Sequence, residues 1–286
     1  MLIKKIGIIG AGAMGTGIAH VAAKNGFLVK VYDEFVGAKE KSLATIEKLS
    51  ASSVAKGKQE PAEREAMLRR LQYVNSLSEL ADSDLVIEAI VEVLDIKLAL
   101  FKQLDEILAK EAIIASNTSS MSITTLAVAT SRPEKVAGMH FFNPAQVMKL
   151  VEVIRGFHTS DETVQALKDV SDKLGKTSIE VKRDTPGFVV NRLLLPQMRE
   201  AVKILEEGVA SVEDIDTALK LGLNHPMGIF ALQDLTGIDI CHNVLEYFKT
   251  EMGDQYAPPL LMKQMVKAGR LGRKTGYGWY NYSNNN

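Results

Sequence analysis

Residues 3–33 read IKKIGIIGAGAMGTGIAHVAAKNGFLVKVYD, and this stretch decides the fold. Ile3–Gly10 is a short, mostly apolar run rich in isoleucine, which predicts a buried strand. Gly10-Ala11-Gly12-Ala13-Met14-Gly15 continues it directly. In that spacing the first glycine permits a tight turn and the second lets the backbone approach a pyrophosphate. The third lets the following helix pack closely on the strand. A helix over Met14–Asn25 would then turn unpaired N–H groups and a favourable dipole toward phosphate. A second strand, Phe27–Tyr32, closes on Asp33. A carboxylate there can accept hydrogen bonds from both ribose hydroxyls and would repel a 2′-phosphate. The unit predicts a dinucleotide site, NAD rather than NADP, built from Gly10, Gly12, Ala13, Met14, Gly15 and Asp33.

The same alternation continues outward. Further strands are predicted over Asp84–Ala89, Ala112–Ser116, Lys135–Phe141, Met148–Ile154 and Thr177–Lys182, and helices over Val36–Lys56, Pro61–Leu71, Leu94–Lys110 and Asp161–Leu174. Nearly all-apolar strands separated by helices imply an α/β fold, a Rossmann-like, mostly parallel sheet covered on both faces. The segment from about 36 to 71 reads as a helical hairpin. At Asp184-Thr185-Pro186-Gly187 the pattern changes to helical spacing alone, so residues 1–183 are expected to form the nucleotide domain and 184–286 an all-helical one. Pro196 is expected to kink the first helix of the second domain and Gly208 to end it, and Ser211 with Asp214 to start the next. The asparagine-rich end is expected to fray.

Composition narrows the function classes. The balance of 34 basic and 35 acidic residues, with no basic block, argues against nucleic acid or anionic membrane as the main partner. One cysteine, Cys241, excludes an internal disulfide framework and suits a reducing compartment. The opening lysines and apolar run mimic a signal peptide, but the run is short and broken by glycine, as a strand entering a phosphate loop would be. A cytoplasmic protein is the expectation, and no metal-ligand spacing stands out.

Oxidising an alcohol with NAD needs a base for the hydroxyl proton. His140 closes the strand Lys135–Phe141 and so points to the cofactor crevice. A lone histidine on an apolar strand is more often a satisfied core residue than a base. Glu152, one strand further on, could hold one ring nitrogen and set the tautomer. Asn117 and Ser119, just past Ala112–Ser116, bring an amide and a hydroxyl to the same edge. A hydrolase with Ser119 as nucleophile would use the same residue types, but the GxSxG elbow is missing. Glu92 and Lys97 follow the strand Asp84–Ala89, either as solvated charges at a helix start or as cofactor contacts.

These blocks carry a family likeness. GAGAMGTGIA, LVIEAIVE, ASNTSSMSIT, GMHFFNPAQVMKLVEVI, DTPGFVVNRLL, SVEDIDTALKLGLNHPMG and LGRKTGYGWYNY together resemble the L-3-hydroxyacyl-CoA dehydrogenases, closest to the bacterial short-chain 3-hydroxybutyryl-CoA group. The likeness spans both ends and most of the middle. It implies that His140 is the general acid/base, Glu152 its partner, and Ser119 a donor to the reacting oxygen, with Asn191 in the same pocket. It implies that Asp33 binds the adenosine ribose while Glu92, Lys97, Ser119, Asn143 and Lys274 line the cofactor side. Val36–Leu71 would match the hairpin that reaches over the CoA moiety, where Lys56 and Lys58 suit its phosphates. The implied activity is reversible hydride transfer between NADH and the C3 carbonyl of acetoacetyl-CoA, in a homodimer whose helical domain closes the site. Two alternatives remain beside it: longer 3-hydroxyacyl-CoA substrates, or a CoA-independent hydroxyacid on the same fold. A non-catalytic, crystallin-like use of the fold is disfavoured by the intact Ser119, His140, Glu152 and Asn191.

Overall fold

A computed structural model describes residues 2–283; the terminal asparagines, 284–286, lie outside the described residues. The chain divides into two compact units, one ending at Thr185 and the next beginning at Pro186. In the first, eight strands form one sheet: β1 (Lys5–Ile9), β2 (Leu28–Tyr32), β3 (Leu71–Tyr73), β4 (Leu85–Glu88), β5 (Ile113–Ser116), β6 (Val136–Phe141), β7 (Leu150–Arg155) and β8 (Thr177–Val181). Their order is β3-β2-β1-β4-β5-β6-β7-β8. The first six follow the doubly wound dinucleotide order, with its reversal between β1 and β4. The helices of this unit are α1 (Ala13–Lys24), α2 (Ala38–Ala55), α3 (Pro61–Arg69), α4 (Leu94–Ile107), α5 (Ile123–Ala127) and α6 (Asp161–Lys173).

The reading of an α/β fold with a mostly parallel sheet holds, with three differences in detail. The β6–β7 pair is antiparallel. Only residues 142–149 join the two strands, fewer than the dozen or more that a parallel crossover needs. Leu71–Tyr73, assigned in part to the preceding helix, is an edge strand pairing with β2. Three residues are too few to show a period. The short helix α5 was not anticipated; its N-terminus is capped by Ser122, whose Oγ accepts from Thr125 N at 3.1 Å.

Because side chains alternate along a strand, the register sorts them between two faces. Ile6, Ile8, Val31, Leu85, Ile87, Ala115, Met139 and Val153 pack with Ile18 of α1 and Leu167 of α6 in one buried cluster. The opposite face lies against α5: a Cβ on Gly138 would come within 3.0 Å of Ile123. Gly138 pairs with Ile154, Ser116 with Gly138, Glu88 with Ser116 and His140 with Glu152. Those four polar side chains therefore share the α5 face, and the first face is left to the apolar core.

The second unit holds α7 (Val190–Glu206), α8 (Val212–Gly222), α9 (Ile229–Thr236), α10 (Ile238–Met252) and α11 (Leu260–Lys267). Pro196 lies inside α7, Gly208 follows it at φ +69°, and Ser211 caps α8 by accepting from Asp214 N at 3.1 Å. The core gathers Met198, Val202, Phe230, Ile238, Leu245, Phe248 and Met262. Two buried carboxylates fasten the C-terminal segment to it. Asp234 accepts from Trp279 N at 2.9 Å, Tyr280 N at 3.0 Å and the Tyr282 hydroxyl at 3.0 Å. Asp216 accepts from Phe230 N at 2.8 Å and the Tyr280 hydroxyl at 2.9 Å. Burial, with Asp216 beside it, pushes the Tyr280 hydroxyl well above its usual range. Gly278 allows the approach, since a Cβ there would meet Asp234 at 2.0 Å. Much of the GRKTGYGWYNY text thus serves packing. Its one addition to the all-helical expectation is a pair of isolated β-bridges, Gly272 to Tyr277 and Tyr277 to Asn281.

Candidate active site

The glycine turn leaves β1 at the carboxyl edge of the sheet. Gly10 stands at φ +99°, where a side chain would be strained and its Cβ would meet Ala89 O at 2.5 Å. At Gly15 a Cβ would lie 1.8 Å from Gly10 O, so helix and turn touch backbone to backbone. At Gly12 a Cβ would meet nothing within 4 Å. The fold itself tolerates a side chain there, and a glycine keeps the start of α1 clear for an approaching group. Asp33, just past β2, accepts from Ala11 N at 2.6 Å and Phe35 N at 2.8 Å. Each carboxylate oxygen retains acceptor capacity for a ribose hydroxyl. A cavity of about 690 Å³ opens here, with Gly12, Ala13, Asp33, Lys41, Asn143 and Gln146 in its walls. The fingerprint, Asp33 and Asn143 therefore meet around one space that suits a dinucleotide. Lys56 and Lys58 sit exposed at and after the end of α2.

His140 and Glu152 face each other across the antiparallel β6–β7 pair, with Nδ1 2.7 Å from Oε2. Glu152 is fully buried and His140 only 6% exposed. With the carboxylate on Nδ1, proton exchange with a substrate falls to Nε2. Asn117 reaches across from β5 to accept from Phe141 N at 2.8 Å, tying the end of β5 to the strand of His140. Lys176, whose ammonium is pushed down by burial, donates to Ala145 O and Met148 O, both at 2.6 Å. It holds the loop that carries Asn143.

Lys97 occupies a more interior place than a helix-start position suggests, while Glu92 stays partly open to solvent. Lys97 is 1% exposed and pairs with Glu88 Oε1 at 2.6 Å and Glu92 Oε2 at 2.8 Å. Burial alone would raise the Glu92 carboxyl; Lys97, the Thr118 hydroxyl and Ser119 N–H outweigh it and hold it below the usual range. Sequence reasoning passed over Glu88, Ser116 and Thr118. The available signal was a carboxylate closing the otherwise apolar strand LVIE. The two remaining candidates lie in the second unit. Asn191 is in the first turn of α7, and Lys274 Nζ donates to Asp239 Oδ2 at 2.7 Å.

A doubly wound sheet, a glycine cradle at its switch point and a histidine–carboxylate pair at the same edge define a nucleotide-dependent oxidoreductase. Residues 5–185 match the family model of the 3-hydroxyacyl-CoA dehydrogenase NAD binding domain, and residues 187–282 that of the 3-hydroxyacyl-CoA dehydrogenase C-terminal domain. The chain belongs to the 3-hydroxyacyl-CoA dehydrogenase family. It is 47% identical to a probable 3-hydroxybutyryl-CoA dehydrogenase of Bacillus subtilis, covering 99% of this chain and 98% of the relative. It is 45% identical to the mitochondrial hydroxyacyl-coenzyme A dehydrogenase of Sus scrofa, over 99% and 92%. The crystal structure of (S)-3-hydroxybutyryl-CoA dehydrogenase from Ralstonia eutropha superposes with a TM-score of 0.96 at 47% identity, over 99% of this chain and 100% of that one. No described helix is long and apolar enough to cross a membrane.

Proposed function

We propose that this enzyme interconverts acetoacetyl-CoA and (S)-3-hydroxybutyryl-CoA with NAD as cofactor. The buried His140–Glu152 pair at the carboxyl edge of an NAD-binding sheet carries the reading. Relatives named for the four-carbon substrate support the choice of acyl chain. When bound, NAD supplies the hydride acceptor or donor. The chain supplies the rest. In the reductive direction His140 gives the proton of Nε2 to the developing alkoxide; in the oxidative direction it takes the hydroxyl proton. Glu152 keeps the ring in the orientation and tautomer that this needs. Ser119 donates to the reacting oxygen, and preorganised donors of this kind are worth about 3 kcal/mol each. Asn191 is assigned to the substrate on the family likeness. Asp33 takes the adenosine ribose, Asn143 and Lys274 the cofactor, and Lys56 and Lys58 the CoA phosphates.

A homodimer is the assembly we assign. Leu193, Leu235, Ile240 and Leu260 of the second unit are exposed, as a surface awaiting a second copy would be. A cytoplasmic setting accords with the buried free thiol of Cys241. NADH oxidation with acetoacetyl-CoA, longer 3-ketoacyl-CoAs and free acetoacetate, measured side by side, tests the substrate. The four-carbon thioester should give the highest kcat/KM. Faster turnover of a longer chain would move the substrate to longer 3-hydroxyacyl-CoAs, and turnover of free acetoacetate would remove CoA from the reading. Light scattering after gel filtration tests the dimer.

A further inference from the structure

Asp33 joins the loop after β2 to the glycine turn, since one carboxylate oxygen accepts from Ala11 N and the other from Phe35 N. Phe35 O accepts in turn from Ala38 N, at the start of α2, at 3.2 Å. The backbone of Phe35 is therefore held on both sides. Its side chain is nevertheless 63% exposed, and Val36 beside it is fully so. No other aromatic ring among the described residues pairs with it. A lone apolar side chain at a surface needs no explanation. Two in succession, on a pinned backbone in the wall of a cavity, do. The cavity of about 690 Å³ counts Gly12, Asp33, Phe35 and Val36 among its walls, and an adjoining hollow of about 280 Å³ shares the last three.

We propose that Phe35 is a cofactor-binding residue, the platform on which the adenine of NAD stacks while Asp33 holds the ribose. The inference rests on the reading of Asp33 as the ligand of the adenosine ribose. The base hangs from that ribose by one glycosidic bond, so a side chain two residues beyond the carboxylate is within its reach. An aromatic ring meets the face of a purine in an offset stack and needs no hydrogen-bond match to do so. The contact also withdraws apolar surface of both partners from water. CoA carries an adenine as well. The hydrogen bond from Phe35 N to the ribose carboxylate assigns the ring to the adenine of NAD.

The test compares Phe35→Ala and Phe35→Tyr with the wild type. NADH binding is followed by fluorescence titration, ADP-ribose by its displacement of NADH, and CoA by calorimetry; none of these needs turnover. Phe35→Ala should weaken NADH and ADP-ribose alike, by about 5- to 150-fold. Phe35→Tyr keeps a stacking face and should stay within about threefold of the wild type for both. CoA should bind all three proteins equally. Because the ring is exposed, Phe35→Ala should unfold at the urea concentration of the wild type. An NADH affinity unchanged in Phe35→Ala would overturn the proposal, and so would a loss confined to CoA. A loss for NADH that spares ADP-ribose would move the ring to the nicotinamide half and overturn it too, as would a tyrosine variant as weak as the alanine one. If Asp33→Ala binds NADH as tightly as the wild type, the ribose assignment is wrong, and the Phe35 titrations still decide whether the ring carries the base.

Discussion

Gly12→Ala and Gly15→Ala should have opposite consequences, although both alter the same fingerprint. At Gly12 the backbone sits at φ −70° and ψ −169°, a conformation alanine adopts without strain. Its Cβ would meet no protein atom within 4 Å. Replacing glycine where the geometry is compatible narrows the unfolded ensemble, so stability should hold or rise by about 0.4–1 kcal/mol. The same methyl stands where a pyrophosphate would approach the start of α1. Displacing it should weaken NADH binding by roughly 10- to 100-fold, about 1.4–2.8 kcal/mol. At Gly15 the Cβ would lie 1.8 Å from Gly10 O, a backbone atom that cannot swing away. Overpacking of that kind costs about 1–3 kcal/mol or more, so Gly15→Ala should unfold at lower urea and bind NADH poorly. Urea denaturation gives the stabilities and NADH fluorescence titration the affinities. A Gly12→Ala protein that binds NADH as tightly as wild type would refute the reasoning; so would one destabilised as much as Gly15→Ala.

Other outcomes follow from single side chains. His140→Gln should lower kcat by about 10² to 10⁴-fold with NADH affinity preserved, and Glu152→Gln should lower it less; unchanged turnover in His140→Gln would end the acid/base assignment. The Cys241 thiol is 2% exposed, and burial pushes its pKa up to about 12. The native protein should therefore be inert to a thiol reagent and react with one equivalent per chain only after unfolding. His20 is buried with no hydrogen-bond partner at Nδ1, and burial, aided by Lys24, pushes its pKa below the ordinary 6.5. The unfolded chain then binds more protons at this residue than the folded one. Stability should rise with pH up to about 6.5 and be lost as pH falls below it, by at most about 1.4 kcal/mol per pH unit from this group. Urea midpoints at pH 5 to 7.5, with His20→Leu flattening the acid side, measure it; an unaltered slope in His20→Leu would exclude the histidine as the cause.

The strand–turn–helix opening, the sheet class and the residues worth naming were legible in the sequence because their signals are local. Apolar runs, the glycine spacing and a carboxylate closing the second strand each lie within about thirty residues. Gly10, Gly15 and Ser211 do what their local patterns announce, since backbone torsion and capping depend on near neighbours. The direction of β7 was also readable in principle: the length of 142–149 already forbade a parallel crossover, and apolar content alone hid it.

Only the tertiary structure could decide what meets across the chain. That His140 opposes Glu152 depends on the antiparallel register, and a slip of one residue would turn the carboxylate to the other face. The withdrawal of Lys97 between Glu88 and Glu92 follows from how the tertiary fold brings the first turn of α4 to the end of β4, and no periodicity encodes it. Asp216 and Asp234 read as ordinary helix charges, yet they hold residues 279–282, far along the chain. The physical reason is shared by all three. A buried charge is tolerable only beside its partners, and which partners it finds is settled by strand order and helix packing. Local sequence specifies neither.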